Sequence, residues 1–169
     1  MSENADIRQM IRDLAVKRDS IDRRQLYFAL IEAEVWVPVR LESPMGHVTP
    51  SDLHPLDREA LGGRAAFAFF THLAAAEAWQ TEEGVGEALR VEQMPFVQLL
   101  PLLLDAGAGS AFINPVAKFA GEFYRHELET MLDGAKRLAA GERRASVVAS
   151  KAAAQEESKR AWWRRLMGH

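Results

Sequence analysis

Gly109-Ser110-Ala111-Phe112-Ile113-Asn114-Pro115 decides how the rest of the chain is read. An apolar segment ending in Asp105-Ala106-Gly107 precedes it, and a second helical pattern starts a few residues after it. Ser110 to Ile113 reads as a buried strand. Asn114 accepts turn geometry and Pro115 offers no ladder donor, so the strand ends there. Everything upstream can be folded onto this strand, and everything downstream leaves from it.

Working upstream, Pro95 opens a helix that runs to about Asp105, with Gly107 placed to terminate it. Pro101 removes one internal hydrogen bond and is expected to kink or shorten that helix. Ala65 to Phe70 reads as a strand, and Thr71 as the cap of a helix over His72 to Gln80 that buries Leu73, Ala76 and Trp79 or their neighbours. Gly84 and Gly86 turn the chain, and Ala88 to Val91 is a short candidate strand. Residues 42–63 lose periodicity and gather Pro44, Gly46, Pro50, Pro55, Gly62 and Gly63, which predicts a long loop. Val35, Val37, Val39 and Leu41 fall at period two, the spacing of a strand. Pro38 within it points to an edge position, or to an N–H that faces away from a neighbour. Ile7, Met10, Ile11 and Leu14 predict an amphipathic helix over 5–17. Asp19 or Ser20 caps a second helix, Ile21 to Ala33, with Leu26, Leu30 and Ala33 inward.

Downstream, Phe119, Phe123, Leu128, Met131 and Leu132 suggest a final core helix ending near Gly134 or Gly141. From Ala139 to Arg160 the chain is rich in Ala, Ser, Glu, Lys and Arg, with too little to bury. It reads as a solvated helix or a flexible tether. The expected organisation is one α+β domain over 1–138, in which helices pack a small mixed sheet. An Ala-rich tether over 139–158 and a basic, Trp-rich end over 159–169 complete it.

Composition narrows the function classes. The 169 residues suffice for a core without metal or disulfide staples. A hydrophobic fraction of 48% and a charged fraction of 27% are ordinary for globular chains, which argues against disorder of the whole. With no cysteine there is no thiolate nucleophile and no disulfide framework. The acidic start, Met1-Ser2-Glu3-Asn4-Ala5-Asp6, lacks the basic and apolar regions of a secretory signal. Met94 to Leu104, the most apolar run, falls short of the roughly 20 residues that a bilayer requires. A cytoplasmic protein is expected. Residues 1–150 hold 16 Lys and Arg against 22 Asp and Glu, whereas 151–169 hold 5 against 2. Such a body does not suit nucleic acid, which needs a clustered basic face.

Three segments resemble the SseB N-terminal domain family. Leu30-Ile31-Glu32-Ala33-Glu34-Val35-Trp36-Val37-Pro38-Val39 is similar to its helix followed by a strand ending in valine-proline. Ala66-Phe67-Ala68-Phe69-Phe70-Thr71-His72-Leu73, continuing to Trp79, resembles its phenylalanine-threonine junction from strand to helix. Gly109 to Pro115 is similar to its glycine, apolar strand and asparagine-proline element. The resemblance covers roughly 22–134. It implies a compact α+β domain with a mixed sheet, no accepted catalytic residues and no cofactor. Members are named for enhanced serine sensitivity, a label shared with a type III secretion translocon protein. The chain departs from longer members in having a tether and a Trp-rich end where a second domain would follow.

Candidate chemistry is sparse. His47, Asp52, His54 and Asp57 share the 42–63 loop, but their spacing matches no metal-ligand pattern. In His126-Glu127-Leu128-Glu129-Thr130 a threonine stands where a zinc-protease helix needs its second histidine. Gly107-Ala108-Gly109 opens onto a strand, whereas a phosphate cradle opens onto a helix. No serine sits in a nucleophile elbow. No catalytic, cofactor or metal residue is assigned.

The end of the chain carries the functional expectation. On a helix, Trp162, Trp163, Leu166 and Met167 share adjoining parts of one face beside Arg160, Arg164 and Arg165. Trp and Arg are the residue types that anchor interfaces. Docking to a protein partner, folding back onto the domain and weak binding to a membrane surface remain open. The leading expectation is a non-enzymatic interaction or regulatory module, with partner-binding residues in that tail. The alternatives are a type III secretion accessory protein, or a small-ligand or metal-binding protein using the 42–63 loop.

Overall fold

The computed structural model describes residues 7, 9–13, 23–60, 63–86, 88–115 and 120–141, without the side chains of 57–60. A helical segment at 9–13 (α1) leads to α2 (Arg23–Glu32) and β1 (Glu34–Arg40). A 3-10 turn (Pro50–Asp52), β2 (Pro55–Ala60), β3 (Arg64–Phe69) and α3 (Leu73–Glu83) follow. Then come β4 (Leu89–Pro95), α4 (Phe96–Asp105), β5 (Ala108–Ile113), β6 (Gly121–Tyr124) and a helix over 125–141 (α5). This is an α+β fold. The chain divides into a unit Met1–Leu132, described below, and a unit Asp133–His169, of which 133–141 are helical.

The opening heptapeptide holds the place expected of it. β5 lies inside a four-stranded mixed sheet of order β2-β3-β5-β6, parallel to β3 and antiparallel to β6. Gly107, at φ 81, turns the chain out of α4, a left-handed conformation that glycine adopts without strain. Asn114, at φ 49, turns it out of β5. β1 and β4 form a separate antiparallel pair. The pair joins the larger sheet where Trp36 and Phe70 exchange both backbone hydrogen bonds at 2.8 Å.

Alternation along the strands sends large apolar side chains to one face. Val35, Val37, Phe67, Phe69, Ile113 and Phe123 are buried there under Leu26 and Leu30 of α2, Leu99 and Leu103 of α4, and Leu128 of α5. Phe69 centres this layer, 5.0 Å from the Phe96 ring and 6.2 Å from Phe123. The opposite face is lined by Ala66, Ala68 and Phe70, and α3 covers it with Ala76 and Trp79. A fully buried large side chain contributes about 2 kcal/mol, so the first layer carries most of the apolar stabilisation. β6 packs so closely that a Cβ on Gly121 would stand 2.7 Å from Ile113 Cγ2.

Several elements differ from the sequence expectation. The 42–63 segment contains the Pro50–Asp52 turn and β2, an outer strand of the larger sheet with Leu56 buried. β4 extends four residues beyond Val91 to Pro95. α4 runs through Pro101 to Asp105, so the proline does not shorten it. The bond it forgoes belongs to Val97, at the exposed side of the helix. Residues 121–124, expected in a helix, form β6 instead, and the helix starts at 125. Thr71 is not the cap of α3. His72 holds that position, and Leu73 is 38% exposed rather than buried. The expected cap at Asp19 or Ser20 and the residues Leu14 and Phe119 lie outside the described residues.

Thr71 serves a different purpose. Asn114 Oδ1 accepts its backbone N–H at 3.1 Å, Asn114 Nδ2 donates to its hydroxyl at 3.2 Å, and the Asn114 N–H donates to the Phe69 carbonyl at 2.9 Å. Both residues are buried, and together they tie the C-terminal ends of the two parallel strands.

A second polar knot holds α2 to the β6–α5 junction. Glu127 stands at the third position of α5, where a carboxylate reaches back to the residue before the helix, and accepts the Tyr124 N–H at 2.8 Å. Its other oxygen accepts the Tyr27 hydroxyl at 2.5 Å and pairs with Arg23 at 3.0 Å. Burial, then the bond to the Glu127 carboxylate, push the Tyr27 hydroxyl up to about 12 from 10.0. A raised pKa means that this contribution to stability is fully present below pH 10.0 and is lost as pH rises towards about 12. An ultraviolet titration of the folded chain should show a tyrosinate step near 12 that Tyr27→Phe abolishes. Tyr27→Phe should also cost about 1 kcal/mol in denaturant unfolding. A Tyr27 step at the ordinary tyrosine value would contradict the geometry.

Candidate interaction site at the outer edge of β4

Hydrogen-bond parity defines this site. Residues of an antiparallel strand point their N–H and C=O alternately to one neighbour and the other. Trp36 points to Phe70, so Pro38, two residues on, also points away from β4. The N–H that proline lacks would have had no partner in β4, and of the two sequence expectations for Pro38 the second is met. Leu41 N–H donates to the Ala88 carbonyl at 3.1 Å, which agrees with the same parity.

It follows that Arg90, Glu92 and Met94 bond to Val39, Val37 and Val35, while Leu89, Val91 and Gln93 face outward. Leu89 is already engaged: its N–H donates to the Val85 carbonyl at 3.2 Å and its carbonyl accepts Gln80 Nε2 at 3.0 Å. Pro95 has no N–H. Among the described residues no strand or bridge pairs with the outward groups of Val91 and Gln93.

Beside this edge lies a cleft of about 260 Å³. Its walls are Met94 and Glu92 of β4, Gln98 and Leu102 of α4, and His47 and Val48 of the loop that follows β1. A guanidinium fixes that loop. Arg90 Nη1 donates to the carbonyls of Leu41 at 3.0 Å, of Arg40 at 3.3 Å and of Ser43, and Nη2 donates to Pro44 at 2.9 Å. Glu92 Oε1 accepts from Nε at 2.8 Å and neutralises the charge. Asp52 closes the loop from its other end, accepting the Ser43 hydroxyl at 2.5 Å and the Thr49 N–H at 2.7 Å. Those bonds, Ser43 first, hold the Asp52 carboxyl down to about 2.

The other candidates fare differently. Both Asp52 oxygens serve loop closure, His47 is exposed, and the Asp57 side chain lies outside the described residues. His54 is half-buried with its ring 6.5 Å from Trp79, and burial, then the Arg40 charge, lower its pKa. Among the described residues no three His, Asp or Glu side chains could share a metal ion. His126 stacks on Tyr124 at 6.1 Å, and its neighbour Glu127 is committed to Tyr27 and Tyr124. The docking motif expected over 159–169 lies outside the described residues. Val91, Gln93 and Arg90 were not singled out by the sequence. The one signal for them was Pro38, which constrains the direction of β1's backbone and therefore that of β4.

Arg90→Met removes the guanidinium donors to the carbonyls of Arg40, Leu41, Ser43 and Pro44. It should lower the unfolding free energy by about 2 kcal/mol, the scale of hydrogen bonds to a charged group. Amide exchange over 41–48 should accelerate while the β1–β4 ladder keeps its protection. Unchanged exchange in the loop would show that Arg90 does not hold it.

Among the described residues no helix is long and apolar enough to cross a membrane. A search of curated proteins finds no match. The family model for the SseB protein N-terminal domain matches residues 7–130, a span that contains every described strand and the cleft. The chain therefore belongs to the SseB family.

Proposed function

We propose that this SseB-family chain is a non-enzymatic, cytoplasmic interaction module with two contact elements. One is the outer edge of β4 with its cleft; the other is the Trp- and Arg-rich segment 159–169. The open backbone of Val91 and Gln93 beside a walled cleft carries this reading. An unpaired edge is a template for another chain, and proteins commonly blunt such edges with charges, proline or a covering loop. Here the flanking positions are closed, by Gln80 and Val85 at Leu89 and by proline at position 95, while the two between them have no backbone partner among the described residues.

The tail rests on composition. Trp162, Trp163, Leu166 and Met167 supply apolar area, and Arg160, Arg164 and Arg165 supply steering charge. The tether would keep a tail-bound partner at raised effective concentration near the β4 edge.

Affinity capture from a native extract tests the reading with two baits, the full chain and a version ending at Ser158. The full chain should retain partners that the shorter bait loses, and the shorter bait should keep those held by the domain. Identical partner sets would remove the tail from the account. Specific partners with neither bait would overturn the interaction reading.

A further inference from the structure

Among the described residues, the outer edge of β4 presents unpaired N–H donors at Val91 and Gln93. We infer that it takes a short extended segment of a partner protein, added as a strand, with one apolar side chain of that segment seated in the cleft. This rests on the interaction reading above and specifies its occupant.

The register follows from the backbone. Residues of the added strand opposite Val91 and Gln93 exchange bonds with them, so those opposite Glu92 and Met94 occupy the intervening, non-bonded positions. Cross-strand neighbours share a face. Side chains opposite Glu92 and Met94 therefore point to the face where Met94 is buried and the cleft opens. Met94, Leu102 and Val48 give that space an apolar wall, and Gln98 and His47 give it a polar rim. Glu92 is paired with Arg90, so the cleft presents no net charge to select a charged side chain. At about 260 Å³ it is smaller than the roughly 300–1,000 Å³ of pockets that enclose whole small molecules, and it suits a single large side chain.

A second copy of this chain is a poor occupant. Antiparallel two-fold pairing allows three registers that set these open residues, Val91 and Gln93, against each other. Pairing Val91 with Gln93 of the copy sets Glu92 directly opposite Glu92, where each carboxylate already holds its own Arg90 and gains no partner across the ladder. Pairing Val91 with itself sets Gln93 opposite Leu89, whose N–H and C=O are already taken. Pairing Gln93 with itself sets Val91 opposite Pro95, which has no donor. A heterologous strand meets none of these obstacles.

The full-length chain is screened against a display library of random linear peptides, and enriched sequences are measured by fluorescence anisotropy. Enriched peptides should share one large apolar residue within a proline-free stretch. Val91→Pro removes an outward N–H without touching the β1–β4 bonds, and should weaken binding about tenfold, the scale of one lost hydrogen bond. Gln98→Trp, at an exposed position, fills the cleft and should weaken it at least as much. Should Val91→Pro fail to fold, amide exchange of the unaltered chain decides, since the Val91 and Gln93 amides must gain protection when peptide binds. Unchanged affinity in folded variants, peptides that leave both amides unprotected, or a concentration-dependent dimer dispersed by Val91→Pro would each overturn the inference. If no peptide is enriched while the domain still captures partners, the strand site alone fails; if neither binds, the interaction reading fails with it.

Discussion

The reciprocal hydrogen bonds between Trp36 and Phe70 are the constraint on which the arrangement of the sheets depends. With the Val39–Leu53 bridge, they are the backbone bridges that tie β1 to residues adjoining β3 and β2 among the described residues. By facing Trp36 towards Phe70 they set the direction of every peptide group in β1, and through the ladder those of β4. Pro38 is compatible with this setting and with no other, because the alternative parity would ask it for a ladder donor. Pro38 thus marks the side of β1 that faces away from β4, where the strand's backbone contacts are the bridges to Phe70 and Leu53.

The motifs that made the family legible hold the fold together. Thr71 and Asn114 belong to two of the three recognised segments, and they prove to be halves of one buried junction between the ends of parallel strands. Parallel strands cannot be joined by a tight hairpin, so their alignment has to come from contacts distant in sequence. An Asn that accepts a left-handed turn and a Thr that gives and takes a hydrogen bond supply such a contact. Their side chains are used up in this task, which is why the opening stretch organises the domain without offering a site of its own.

Elements whose evidence was local were legible, and elements defined by distant pairing were not. Val35, Val37 and Val39 announce β1 by alternation, and Leu26 and Leu30 announce α2 by spacing. β2 is rich in charged residues and draws its identity from backbone bonds to β3, so it read as loop. β6 is four residues long, and the four-residue interval from Phe119 to Phe123 imitates a helix. The resemblance supplied the α+β class and the mixed sheet. The β4 edge was out of reach because it is a property of unpaired backbone, which side-chain pattern does not encode. Arg90 was equally silent, since a single arginine in an apparent loop-proximal strand gives no hint of the four carbonyls it gathers.

Among the described residues β4 is bonded on one side and open at Val91 and Gln93 on the other. Residue-resolved amide hydrogen exchange of the free chain tests it directly. The account predicts alternation, with Arg90, Glu92 and Met94 protected by their bonds to β1 and Val91 and Gln93 exchanging as solvent-facing amides do. Uniform protection along β4, or protection of Val91 and Gln93 in place of their neighbours, would contradict it.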